Sequence, residues 1–295
     1  MAPLLAPCTR DELPALVSAL DAEFVTARGR TLSLAVRFPH LFEPGRLHHL
    51  YALREGPKLL ACAIARPFTW VVAERPWRCA MLGMVYTAPT SRGQGYASRV
   101  LEGVLQSLRA TEFDVAVLWS ALEGFYETRG WQPGDCGVLG TVRRTVAAPG
   151  TATPRTASVG LVPSNAAADA IRQCAGPPFI ARSELAWQAL PIPITHCELA
   201  ISANAYALIG RHGAHAYLYE MLGRPTDFRD LWQQCTHDTS QITINAPPHS
   251  ASYRWLSSHT SVTWQPQRLT FWYPLSAPSQ RLALNAWYIP YFDRI

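Results

Sequence analysis

"PTSRGQGYASRVLEGVL", residues 89 to 105, sets an arginine and two glycines directly ahead of a segment with helical periodicity. Ala97, Val100, Leu101, Val104, Leu105 and Leu108 recur at three- and four-residue intervals, with Arg99, Glu102, Gln106 and Arg109 between them, so the segment reads as an amphipathic helix. "RCAMLGMVYTA" (78–88) reads as a strand leading into it. "FDVAVLWS" (113–120) is a nearly continuous apolar run, expected of a strand buried on both faces. Together they form a strand–helix–strand crossover.

A helix start in that setting offers an anion its unpaired backbone N–H groups and the positive end of the helix dipole. Gly93 and Gly95 let the backbone bend and approach the anion, Ala97 keeps the first turn narrow, and Arg92 adds charge at the mouth. A bare GxG also begins many helices as an ordinary turn. No Lys-Ser/Thr follows, as a P-loop would require, and the third position of a dinucleotide fingerprint does not fit. Neither ATP nor NAD is indicated.

Upstream, Thr9 and Glu12 have capping-box spacing and open a helix carrying Leu13, Leu16, Val17 and Leu20. "LHHLYALREGPKLLACAIARPF" (47–68) reads as two strands joined at Glu55-Gly56-Pro57. Downstream, "LEGFYETRGW" (122–131) is a short helix stopped at Gly130. "AAPGTATPRTAS" (147–158) lacks periodicity and marks a linker, dividing the chain into 1–147, a linker at 148–158, and 159–295. Beyond it come a helix near 164–174, the strands "CELAISAN" and "AHAYLYEML", and the helix "DFRDLWQQC". The strand "QITINA", the helix "ASYRWLSS" and the strands "SVTW" and "RLTFWYPL" complete it. That element order repeats the first half and suggests a duplication. The stretch matching the glycine motif, "LGRPTDFRD" (222–230), has one glycine, and Pro225 removes an N–H.

The 295 residues are 48% hydrophobic and 16% charged, a composition that buries a core and excludes disorder. The net charge of +5 is diffuse, with no basic run longer than Arg143-Arg144, so no nucleic-acid partner is expected. Seven cysteines without a CxxC pair suggest neither a disulfide framework nor a zinc site, and a reducing cytoplasm fits them. No run approaches the ~18 apolar residues of a membrane span, and the start lacks the basic region of a signal peptide. No membrane partner and no metal are expected.

Arg92 to Ala97, with Pro89 ahead, resemble the R-x-x-G-x-G/A signature of the GNAT acyltransferase superfamily. "LWSALEGFYETRGW" (118–131) resembles that superfamily's following strand and F-Y-x-x-x-G-[FYW] helix. The resemblance covers about residues 45 to 135. It implies an α/β fold of the α+β type, here two tandem GNAT-like domains, each a mixed, mostly antiparallel sheet with flanking helices. It also implies acetyl-CoA, or another short acyl-CoA, as co-substrate. By the resemblance, the amides of Gly93, Gln94, Gly95, Tyr96, Ala97 and Ser98 hold the pyrophosphate beside Arg92. The backbone of Val85, Tyr86 and Thr87 pairs with the pantetheine arm between splayed strands at 81–88 and 114–120, and Ser120 and Ala121 line the far side. Tyr126 matches the tyrosine that protonates the departing thiolate. Its spacing with Leu122 and Phe125 equally fits a core stripe.

The base that accepts the proton of an incoming amine is not evident; Glu23, His48 and His49 are candidates by position alone. The degenerate second half and "FPHLF" (38–42) resemble the Eis-type acetyltransferases. That likeness implies a role for the Ile295 carboxylate near the acceptor. The expected activity is transfer of an acyl group to a small-molecule, peptide or protein amine, with homo-oligomerisation open. A non-catalytic acyl-CoA sensor or assembly subunit is the alternative.

Overall fold

The computed structural model describes residues 2–72, 74–134, 137–144, 196–236, 238–266 and 269–283, together with Ala168, Ile171, Arg172, 179–182, 288–290 and Arg294. The expected linker, most of the helix expected near 164–174, and Ile295 lie outside them. The first half runs β1 (Leu4–Pro7), α1 (Leu13–Phe24), α2 (Leu34–Arg37), β2 (Leu50–Glu55), β3 (Lys58–Val72), β4 (Arg75–Thr87), α3 (Tyr96–Ala110), β5 (Val115–Trp119), α4 (Glu123–Glu127), β6 (Gln132–Pro133) and β7 (Val138–Arg143). The second runs β8 (Phe179–Ala181), β9 (His196–Ile201), β10 (Ala205–His212), β11 (His215–Gly223), α5 (Phe228–Thr236), β12 (Gln241–Ala246), α6 (Ala251–His259), β13 (Thr263–Pro266) and β14 (Thr270–Pro274).

Two mixed sheets result. The first has the order β1-β2-β3-β4-β5-β14-β6, with β8 also on β3; the second has the order β13-β7-β12-β11-β10-β9. In each, one pair is parallel, β4 with β5 and β11 with β12, and every other pair is antiparallel. The parallel pairs are those spanned by a crossover helix, α3 in the first half and α5 in the second, because parallel neighbours need a long return.

The halves exchange their last strands. β7 leaves the first half to pair with β12 and β13, while β14 leaves the second to lie between β5 and β6. The first sheet therefore contains two strands from beyond residues 148–158, β14 and β8, and the second contains one from before them, β7. Trp272 and Phe271 of β14 show no measurable exposure, so the exchanged strand is core to the first sheet.

Alternation along β4, β5 and β14 feeds two layers. Ala80, Leu82, Ala116, Leu118 and Phe271 pack with the α3 stripe of Val100, Leu101, Val104, Leu105 and Leu108. Cys79, Met81, Val115, Val117 and Trp272 pack on the opposite side with Trp70 and Trp77. Burial on both faces explains the continuous apolar run at 115–118. Each buried stripe residue of α3 contributes about 1.5–3 kcal/mol, enough to fix the helix on the sheet.

Two expectations need amendment. Glu12 accepts from the Thr9 N–H and from its hydroxyl, each at 2.7 Å, so the hydroxyl is spent on the carboxylate instead of capping the helix. The helix begins only at Leu13. "AYALIGRH" is a full strand, β10, between the two expected at that point.

Candidate active site

The glycine motif sits where β4 ends and α3 begins. Gly93 and Gly95 both adopt φ +77, a left-handed conformation that only glycine takes without strain. A Cβ built on either would meet nothing within 4 Å, so open space lies over the loop. Gly95 caps α3 without any side-chain bond, and the first backbone bond of the helix runs from Arg99 N–H to the Gly95 carbonyl at 3.1 Å. Among the described residues no acceptor engages the amides from Gly93 to Ser98, the set of orphan donors an anion would satisfy. Arg92 reaches away from this loop: its Nη2 pairs with Glu23 Oε2 at 2.7 Å and its Nε donates to the Thr87 carbonyl at 3.3 Å. Arg129 of the α4 block donates from Nε to Ser98 Oγ at 2.8 Å, a tie between the two sequence motifs.

β4 and β5 pair only from Cys79↔Val115 to Leu82↔Leu118. Immediately beyond, the pairing of β4 with β3 slips: Gly83 faces Ile64 and Tyr86 faces Cys62, so Met84 and Val85 oppose the single residue Ala63. Met84 holds φ +51 at this β-bulge, a conformation uncommon for a non-glycine side chain. A bulge bends its strand, and here it turns β4 away from β5, leaving the splay expected between 81–88 and 114–120. Tyr86 and Thr87 remain paired with β3, and their other edge faces the gap.

That gap is the mouth of a cavity of about 580 Å³. Met84 and Val85 line it from β4, Ser120 and Ala121 from the end of β5, and Tyr126 from α4. Phe24, Arg28, Arg30, Leu34, Arg37 and Phe38, together with Arg294, line the rest of it. A recess of about 180 Å³ adjoins it, sharing Arg30 and Arg37. No Asp, Glu or His lines either space among the described residues.

Tyr126 is packed in the core and also reaches the cavity. Its ring packs on Phe271 at 5.5 Å, Trp131 at 6.0 Å and Phe125 at 5.0 Å, and the residue also lines the cavity. Burial raises its phenol pKa above the ordinary tyrosine value, against the opposing pull of Ser120 and the Arg129 charge, so it stays protonated at neutral pH.

The candidate bases are elsewhere. Glu23 is held by Arg92, and the rings of His48 and His49 lie tilted against each other, centroids 3.8 Å apart, outside the cavity. Burial, with the charges of His48 and Arg46, pushes His49 down to about 4. Sequence reading missed Arg28, Arg30, Arg37 and Arg294, because their segments carry no periodicity that would say which wall they form.

The corresponding place in the second half is closed. Gly223 has φ +126, but a Cβ there would lie 2.2 Å from the Asn204 carbonyl oxygen, so backbone fills the space that stays open above Gly95. Pro225 starts the 3-10 turn that follows.

Residues 6–134 match the family described as "Acetyltransferase (GNAT) domain". That match spans less than half of the chain, and the likeness in fold extends much further. A GCN5-related N-acetyltransferase from Kribbella flavida shares 17% identity, with a TM-score of 0.66 over 94% of this chain and 72% of that one. A GCN5-related N-acetyltransferase from Anabaena variabilis gives 13% and 0.72, over 94% and 74%. Eis1 from Mycobacterium abscessus gives 14% and 0.64, over 93% and 74%. No curated protein matches the sequence. Among the described residues no helix is long and apolar enough to cross a membrane.

Proposed function

We propose that the chain transfers an acetyl or other short acyl group from acyl-CoA to an amine, by direct attack within the splayed cleft. The observation that carries this reading is that β4 lines the cavity that Tyr126 reaches and then runs into an open glycine loop with unengaged amides from Gly93 to Ser98. Bound there, acyl-CoA supplies an activated acyl carbon and a thiol leaving group. The amides of Gly93 to Ser98 hold its pyrophosphate, and the free edge of Val85, Tyr86 and Thr87 aligns its arm opposite Ser120 and Ala121. Arg92 works through position: by bonding Thr87 and Glu23 it fixes the end of β4 on α1.

Tyr126 holds the proton that the departing sulfur needs. A thiol of pKa about 8.5 leaves as its anion, and a neutral phenol within reach returns a proton to it. The amine must shed one proton as the carbon–nitrogen bond forms and the carbon–sulfur bond breaks. With no carboxylate or imidazole lining the cavity among the described residues, we assign that proton to water.

We place the chemistry in residues 1–147, completed by β14, and read 159–295 as a degenerate GNAT-like unit that supports it. The same absence of a base among the cavity residues favours the second reading, an acyl-CoA sensor that binds without turnover. The test is a thermal shift with acetyl-CoA, followed by thiol detection of CoA release over a panel of amines. At about 100 times its dissociation constant a ligand adds ~2.7 kcal/mol, a shift that is easily read. No shift sinks both readings, and a shift without amine-dependent CoA release leaves the sensor.

A further inference from the structure

Arg129 stands where the two sequence motifs meet, one residue before the left-handed Gly130 that follows α4. Its Nε donates to Ser98 Oγ at 2.8 Å, and Ser98 lies in the first turn of α3, at the end of the open amide loop. Its Nη1 donates to the Phe125 carbonyl at 2.6 Å and to Thr128 Oγ1 at 3.2 Å, and its guanidinium lies over the Phe125 ring at 3.9 Å. The Arg129 backbone N–H donates to the Tyr126 carbonyl at 2.9 Å, and the Trp131 N–H reaches the same oxygen at 3.2 Å. Arg129 therefore holds the peptide groups on both sides of the Tyr126 Cα, while the same guanidinium holds Ser98. With five residues, α4 has little stability of its own, so its place depends on ties of this kind.

A phenol returns a proton to a departing sulfur only from within about 2.6–3.2 Å, and the glycine loop at the far end of the cofactor sets where that sulfur lies. A misplacement of ~1 Å costs about a hundredfold in rate, so the loop and the phenol need a fixed separation. The hydrogen bonds of Arg129 span these two places. We infer that Arg129 is a positioning residue, which locks the Tyr126 turn of α4 to the first turn of α3 and so holds the proton donor in register with the glycine loop. The inference rests on the acyl-transfer reading and deepens it. The charge of Arg129 works in the same direction: burial raises the Tyr126 phenol, and Ser120 and Arg129 draw it partway back, so the phenol parts with its proton more readily than burial alone would let it.

The experiment uses the full chain with acetyl-CoA and an amine that the parent acetylates. Arg129→Gln should lower kcat about tenfold or more, with the KM for acetyl-CoA within about threefold of the parent. In a Tyr126→Phe background the same substitution should change kcat by less than about twofold, because the group it positions is already gone. Arg129→Lys keeps the charge without the planar fork and should recover part of the loss. Equal losses of kcat in the two backgrounds overturn the inference, since Arg129 would then act without Tyr126. A loss confined to the acetyl-CoA KM overturns it as well, because the arginine would then serve as a cofactor contact.

Where Arg129→Gln does not fold, Ser98→Ala cuts the same tie from the α3 side and leaves α4 untouched. Its loss of kcat must vanish in the Tyr126→Phe background, and a loss that persists there overturns the inference. Absence of a thermal shift with acetyl-CoA, or a shift without CoA release to any amine, overturns the transfer reading and this inference with it. Turnover by the parent, with kcat unmoved in Arg129→Gln, overturns the inference alone.

Discussion

Gly95→Ala separates what the glycine does for folding from what it does for binding. A left-handed conformation costs an L-residue roughly 1–2 kcal/mol, and Gly95 sits at φ +77. No neighbour lies within 4 Å of the added methyl group, so there is no clash to add to that cost. The narrower unfolded ensemble of alanine returns about 0.4–1 kcal/mol. The net loss without ligand lies between about 0 and 1.6 kcal/mol, a fall of at most roughly 6 °C in Tm. Binding should suffer much more, because the methyl group projects into the space where a pyrophosphate would meet the amides of Gly93 to Ser98. Losing one charged hydrogen bond of ~1.5–3 kcal/mol weakens affinity by about 10- to 150-fold. Calorimetric titration with acetyl-CoA reads the affinity, and thermal melting of the free protein reads the stability. A variant with the small Tm loss and an acetyl-CoA Kd within twofold of the parent would refute the assignment of this loop as the phosphate cradle.

Tyr126→Phe should lower kcat at least tenfold while acetyl-CoA affinity stays within twofold. Because burial raises the phenol pKa, the parent's kcat should show no decline from tyrosine ionisation between pH 7 and the ordinary tyrosine range, and a limb near pH 8 that vanishes in the variant would contradict this. Glu220, buried in the second half, accepts from Arg172 at 2.6 Å, Arg182 at 3.1 Å and Tyr206 at 2.8 Å. Glu220→Gln strips the charge that compensates two buried guanidinium groups and should cost about 3–5 kcal/mol in urea unfolding; a loss under about 1 kcal/mol would show the network to be dispensable. His40 is pushed down to about 3 by burial and by the Arg66 and Arg46 charges, so the native state resists its protonation and the unfolded state does not. Stability should therefore fall as pH drops from about 6.5 toward 3, and His40→Gln should flatten that slope in chemical denaturation between pH 6.5 and 4.

The glycine loop was legible because its requirements are local. Two glycines at φ +77, a helix stripe at 3.6-residue spacing and a doubly buried strand each leave a pattern within a few residues. The F-Y-x-x-x-G block was legible for the same reason, down to the turn at Gly130 with φ +81. What escaped depends on partners distant in sequence. Alternation shows that Thr270–Pro274 is a strand, but nothing in it names β5 as its neighbour. The bulge at Met84 was invisible because a left-handed methionine carries no compositional signal, and it is held by the register of β3 opposite. The cavity arginines had the same difficulty, since the turns between Phe24 and Phe38 acquire an inner face only when α1 and α2 pack on the sheet.

The strand exchange bears on how the protein is made. β5 emerges from the ribosome with one edge unsatisfied, and the strand that covers it is encoded about 150 residues later. At about 5–20 residues per second, that edge waits roughly 10–30 s. Throughout the interval the nascent chain presents an apolar strand beside a half-built cleft, the kind of exposed edge that recruits chaperones or aggregates. The first sheet therefore closes only after β14 has been made, and a chain terminated before it is a folding hazard.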